Sequence, residues 1–145
     1  MKKTTLLTSL AFVAATAVFA HQGVQNATVM ARMVSMSALA DNMKVLGTMA
    51  KGAVAFDADK ARLAAKQIAE HAAQTPDLFE ANETDPKSEA LPVIWENFED
   101  FSTKSDNLAV IARTLSTGIE SPGDLPAAMR DLGTSCQACH SVYRK

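Results

Sequence analysis

The chain has 145 residues, of which 48% are hydrophobic and 21% charged, with a formal net charge of −2. That length suits a single core, and the apolar content excludes an intrinsically disordered chain. The slightly acidic balance argues against nucleic-acid binding, which depends on Lys and Arg neutralising phosphates. Six glycines and five prolines exclude fibrous and linker-like compositions.

The amino end reads as an export leader. Lys2 and Lys3 form a positive n-region, Leu6 to Phe19 is an uncharged, mostly apolar run, and Val18 and Ala20 stand where a signal peptidase reads. The apolar run has fourteen residues, too few to span a bilayer, which needs about 20. Residues 1–20 are therefore expected to be a signal peptide and 21–145 the mature domain, with cleavage after Ala17 as an alternative. Removing two lysines and no acids takes the formal charge from −2 to −4. Export predicts a periplasmic location, where disulfides are permitted.

The rest of the chain carries helical periodicity. Val29, Met33, Met36, Ala40, Met43, Gly47 and Ala50 alternate by four and three, as a buried seam does, and Gly52 offers a C-cap. Asp57 is an N-cap for an alanine-rich second helix that runs to about Gln74 and stops before Thr75-Pro76. Its face of Ala61, Ala65, Ile68 and Ala72 is thin and suits close approach of a neighbour. The connection from Pro76 to Leu91 is long enough to imply a role, and Leu78 and Phe79 within it are expected to tuck against the core.

A third helix opens at Pro92, acceptable in a first turn, and keeps the rhythm through Ile94, Phe98, Phe101, Ser105, Leu108, Ala112, Leu115 and Ile119. Glu96, Glu99 and Asp100 favour its positive end. Ser121-Pro122-Gly123 breaks it, and Asp124 is expected to cap a fourth helix with a seam of Leu125, Met129, Leu132, Cys136, Cys139 and Tyr143. No segment alternates with period two. The fold expected is all-α: an up-down-up-down bundle of four helices, each about 25–40 Å long.

The two cysteines lie in Cys136-Gln137-Ala138-Cys139-His140, a C-x-x-C-H run that reads as c-type haem attachment. Two thiols one turn apart can each form a thioether with a porphyrin vinyl group, and the adjacent imidazole can ligate iron. Cys136 and His140 are i and i+4, on one helix face. One haem c per chain, bound through two thioethers, is therefore expected. Three rivals are weaker. A thioredoxin-like dithiol wants a βαβ context, a disulfide across one turn strains the preferred geometry, and structural zinc needs four ligands.

The sixth ligand separates electron transfer from gas binding, since Met/His ligation raises the potential and leaves no open position. The first helix offers Met30, Met33, Met36, Met43 and Met49. In an up-down-up-down bundle, His140 lies roughly 6–8 Å from the end it shares with the start of the first helix. Met33 lies about 11 Å along and Met36 about 15 Å, while Met43 and Met49 come out at about 26 Å or more. Met129 shares the fourth helix with His140, about 16 Å away. The count favours Met30 or Met33 slightly over Met36, and any one methionine also serves as core filler.

The chain resembles the cytochrome c′ family, the class II c-type cytochromes, across essentially the whole mature sequence. The resemblance rests on C-x-x-C-H followed by Tyr143-Arg144-Lys145 at the carboxyl end, on Ile94-Trp95, on Arg32-x-x-x-Met36, and on Lys51-Gly52 with Phe56-Asp57-Ala58. It implies that Met36 is the distal residue and an axial ligand opposite His140, as in low-spin members, and this choice prevails over the helix count. It further implies that Arg32 lies near the haem propionates and that Phe79 packs on the haem. Arg144, four residues after His140, lies near the proximal imidazole. His71 stands at a level compatible with the haem.

The sequence thus reads as a periplasmic carrier of single electrons, not an enzyme, because no catalytic base, nucleophile or substrate pocket is legible. Its expected partners are periplasmic redox proteins, with no nucleic acid and no membrane span in the mature chain. The resemblance also allows a homodimer through the first two helices. The alternative function is a five-coordinate haem protein that binds nitric oxide or carbon monoxide.

Overall fold

The computed structural model describes residues 23–145. The leader assigned to residues 1–20 lies outside the described residues. The elements in chain order are α1 (Ala27–Ala50), α2 (Ala58–Phe79), a single turn α3 (Val93–Glu96), α4 (Phe98–Gly118) and α5 (Leu125–Tyr143), with a 3-10 turn at Pro122–Asp124 before α5. The four long helices pack in a ring: α1 on α2, α2 on α4, α4 on α5, and α5 back on α1. This is the four-helix bundle expected from the periodicity. The described residues contain no strand, only an isolated antiparallel bridge between Ala90 and Arg144.

Local chemistry sets most helix ends. The Asn26 side chain accepts from the Val29 amide (2.9 Å) at the start of α1, and Asp57 accepts from Lys60 (3.0 Å) at the start of α2. Gly52, at φ +67°, follows the last turn of α1 in the left-handed conformation that glycine adopts without strain. The Arg62 guanidinium donates to the Ile119 carbonyl just past α4 (3.2 Å).

Three boundaries differ from the sequence reading. α2 does not stop before Thr75-Pro76 but continues through Pro76 to Phe79. Proline removes the amide that would bond to the Ala72 carbonyl, and the Ser105 hydroxyl of α4 donates to that carbonyl instead (2.8 Å, buried). The third helix is not continuous from Pro92: it breaks at Asn97, which leaves helical geometry at φ −129°, ψ 46°. The Trp95 indole donates to the Phe79 carbonyl (2.8 Å), which holds the α3 turn against the end of α2. Asp124 does not cap α5. Its carboxylate turns back to accept from the Glu120 and Ser121 amides (3.0 and 2.8 Å) and closes the turn that precedes the helix.

The core has two parts. The larger joins all four long helices around Leu46, Ile68, Leu108, Ala112, Leu125 and Leu132. The alanine face predicted for the second helix is buried in full, and α2 makes its most extensive contact with α4. Small side chains permit that approach, and a fully buried Leu or Ile here contributes about 1.5–3 kcal/mol. The smaller part is an aromatic-rich cluster of Phe79, Ile94, Phe101 and Tyr143 near the carboxyl end of α5. Phe101 lies 5.0 Å from Phe79 with the rings tilted at 52°, and meets Tyr143 edge-on at 5.4 Å.

The α1 seam is shifted from the one predicted. Val29 is buried, but its buried companions are Arg32, Ser35, Leu46 and Met49, while Ala40 and Ala50 are exposed. Met33, Met36 and Met43 are half-buried. The polar pair was passed over by a reading based on apolar spacing. Both are buried because they have partners: the Arg32 guanidinium meets backbone carbonyls, and the Ser35 hydroxyl lies 3.3 Å from Nδ1 of His71 on α2.

Candidate functional site

α5 carries Cys136, Cys139 and His140 in its last two turns, so the helix itself fixes their order and spacing. Both cysteines are half-buried, and they form no disulfide with one another. Cys136 packs against the larger core and Cys139 against the aromatic cluster. Burial pushes the Cys139 thiol up to about 11, with Cys136 and Asp100 adding to the rise and Lys104 opposing it. Burial also raises Cys136. Thiols held protonated are the opposite of a reactive dithiol, whose thiolate must form near neutrality.

His140 is exposed on the surface of α5. Desolvation by the neighbouring chain, and then the Arg144 cation, lower its pKa, while Glu89 opposes them. The neutral imidazole so favoured is the form that ligates metals. Arg144 itself is exposed and paired through Nε with the Glu89 carboxylate at 2.6 Å.

On α1, Met36 packs against the Phe79–Ile94–Phe101–Tyr143 cluster, as Cys139 does from α5. Among the described methionines it alone does so. Met43 and Met129 pack against the larger core, and Met49 is buried within it. The structure thus brings Met36, rather than Met33 or Met30, to the cluster that Cys139 touches. The helix count slightly favours Met30 or Met33, whereas the contact with this cluster belongs to Met36.

Phe79 is buried in the same cluster, with the Arg32 guanidinium 4.6 Å above its ring and 5.3 Å from that of Trp95. Arg32 is buried, and burial lowers its pKa against the opposing charge of Glu83. Its Nε donates to the Leu78 carbonyl and Nη1 to that of Glu83, each at 2.8 Å, and Nη2 donates to Ala81. A guanidinium has five donors, so two N–H groups remain beyond these bonds.

Two carboxylates near the site, Asp100 and Asp85, belong to no motif. The Tyr143 hydroxyl donates to Asp100 (2.6 Å), and burial with that hydrogen bond pushes its pKa up to about 12. Asp85, in the connection between α2 and α3, is buried and accepts from the amides of Lys87 and Gln25 (both 2.8 Å) and Asn26 (3.1 Å). These bonds hold its carboxyl below the usual range. Gln25 and Asn26, just before α1, lie 60 and 59 positions from Asp85, beyond the reach of any local pattern.

A four-helix bundle with C-x-x-C-H in the last turns of its final helix defines a bundle-type c cytochrome. A family model described as Cytochrome C′ matches residues 27–144. The chain is 38% identical over 112 residues to cytochrome c-556 of Agrobacterium tumefaciens strain B2A, covering 75% of this chain and 89% of that one. It is 35% identical over 115 residues to cytochrome c-554 of Cereibacter sphaeroides, covering 76% and 75%. Among solved structures, oxidised R. palustris cytochrome c556 superposes with a TM-score of 0.76 at 30% identity, over 83% of this chain and 98% of that one. Cytochrome c′ from Rhodopseudomonas palustris gives a TM-score of 0.77 at 26% identity, over 83% and 98%. The chain belongs to the cytochrome c′ family. It is accordingly a c-type cytochrome that carries covalently bound haem c, and no described helix is long and apolar enough to cross a membrane.

Proposed function

We infer that this protein is an exported, periplasmic electron carrier whose haem is held by Cys136 and Cys139 and ligated by His140 and Met36. The observation that carries the reading is the packing of Met36 and Cys139 against one cluster from the neighbouring helices α1 and α5. The donor set suits the group: two thiols flanked by apolar side chains, an imidazole at i+4 from the first, and a thioether on the same cluster as the second. When bound, the haem would supply one-electron exchange.

The chain's own residues hold and shield that group. Cys136 and Cys139 would hold the haem covalently, His140 would offer a neutral ring nitrogen to its iron, and Met36 would offer a thioether, a pair that would leave no position for a gas. Phe79 forms part of the apolar wall. The Arg32 guanidinium lies over the Phe79 ring and has two N–H groups that would be available to a propionate, while Arg144 places a cation one turn beyond His140. The formal charge of −4 expected after leader removal steers the carrier toward basic faces of redox proteins. Exposed Val34, Val45 and Leu63 on α1 and α2 give a homodimer an apolar contact.

Carbon monoxide tests this reading against the gas-binding one. Added to the reduced protein, it is expected to bind slowly, because Met36 must first leave the iron. Immediate, stoichiometric binding would make the protein a five-coordinate gas binder instead.

A further inference from the structure

Residues 80–92 connect α2 to α3 and are bonded to both helices that bear the proposed axial ligands. Toward α1, Arg32 stands one turn before Met36, is 2% exposed, and grips the carbonyls of Leu78, Ala81 and Glu83. The Glu83 carboxylate accepts from the side chains of Asn26 (2.6 Å) and Thr28 (3.2 Å), and Asp85 accepts from the amides that open α1. Toward α5, Arg144 stands one turn after His140 and pairs with Glu89. The Lys145 amide donates to the Glu89 carbonyl (2.9 Å) and the Leu91 amide to that of Tyr143 (3.0 Å).

Direct packing between the two helices is sparse by comparison. α1 touches α5 far less than it touches α2, and α5 leans chiefly on α4. The methionine side chain adapts its rotamers but has a finite length, so whatever sets the α1–α5 spacing also limits the reach of Met36.

We propose that residues 80–92 are a strap that sets the spacing of Met36 from His140, with Arg32 as the positioning residue that grips it. The proposal rests on the reading of Met36 and His140 as axial ligands. It makes retention of the methionine ligand a property of a segment that contributes no ligand of its own.

The test uses the holoprotein with Arg32→Gln and Arg32→Lys. The haem stays attached through Cys136 and Cys139 in each, so far-UV circular dichroism, the ferric far-red band and carbon monoxide binding are all readable. In Arg32→Gln the ratio of methionine-ligated to methionine-free iron is expected to fall about 5- to 30-fold at temperatures where helix content is unchanged. Carbon monoxide binding to the reduced protein accelerates by the same factor. Arg32→Lys keeps the charge but not the planar fork, and falls between Arg32→Gln and wild type. A wild-type band and binding rate in Arg32→Gln, with only a lower unfolding temperature, would make Arg32 purely structural and overturn the proposal. If Arg32→Gln gives no folded holoprotein, Asp85→Asn decides: the ratio is expected to fall at least about twofold, and an unchanged ratio overturns the strap. Absence of the band from wild type would overturn the ligand reading itself, and the strap's role with it.

Discussion

The passage of α2 through Pro76 gives the sharpest stability prediction. Pro76 leaves the Ala72 carbonyl without its helical donor, and the buried Ser105 hydroxyl supplies one at 2.8 Å. Ser105→Ala therefore strands a buried acceptor, at a cost of about 1–3 kcal/mol. A domain of about 120 residues unfolds with an entropy of about 0.25 kcal/mol/K, so each kcal/mol moves Tm by about 4 °C. The expected fall is about 4–12 °C by far-UV circular dichroism. In a Pro76→Ala background the new amide bonds to Ala72 itself, and the same serine substitution should cost only about 0.5 kcal/mol. Equal losses in the two backgrounds, or a fall under about 1 °C in the first, would refute this explanation of the uninterrupted helix.

Three further predictions test the clamps around the site. Asp85 has a carboxyl held below its ordinary 3.8, chiefly by the Lys87 amide and then that of Gln25. Its stabilisation is complete above the unfolded value and is lost as pH falls through the folded one. Asp85→Asn should accordingly flatten the acid limb of Tm against pH below about pH 5, and an unchanged limb would refute the clamp. Tyr143 is the only tyrosine, so an alkaline difference spectrum against Tyr143→Phe should show ionisation at about 12; ionisation near its ordinary 10.0 would disprove the buried bond to Asp100. Leu132→Ala, at a fully buried position in α5, should cost about 2–5 kcal/mol in urea unfolding, and a neutral result would contradict its place in the core.

The parts of this protein legible in its sequence are those whose causes are local. Cys136, Cys139 and His140 lie on one helix, so their spacing already states their geometry. Asp57 caps the helix it immediately precedes, and the alanine face of α2 repeats at the helical period. What stayed hidden depends on partners distant in the chain. The break expected before Pro76 fails because Ser105 lies opposite it on another helix. Arg32 and Ser35 carry no apolar signal, yet they occupy the buried face of α1 because carbonyls from 78–83 and His71 meet them. Met36 packs on the aromatic cluster through partners from other helices, a contact that counting residues along α1 does not reveal. The role of residues 80–92 could not be read from composition, since Asp85 and Glu89 look like ordinary surface acids until their partners on α1 and α5 are placed.

The central claim is that Met36 and His140 together ligate a haem fixed to Cys136 and Cys139. The far-red absorption of the ferric protein tests it most directly, measured on wild type and on Met36→Ala with covalent attachment verified in both. The account predicts an iron–thioether band in wild type that vanishes in Met36→Ala, leaving a high-spin haem still bound to the chain. A high-spin wild-type spectrum, or a band that survives the substitution, would contradict it.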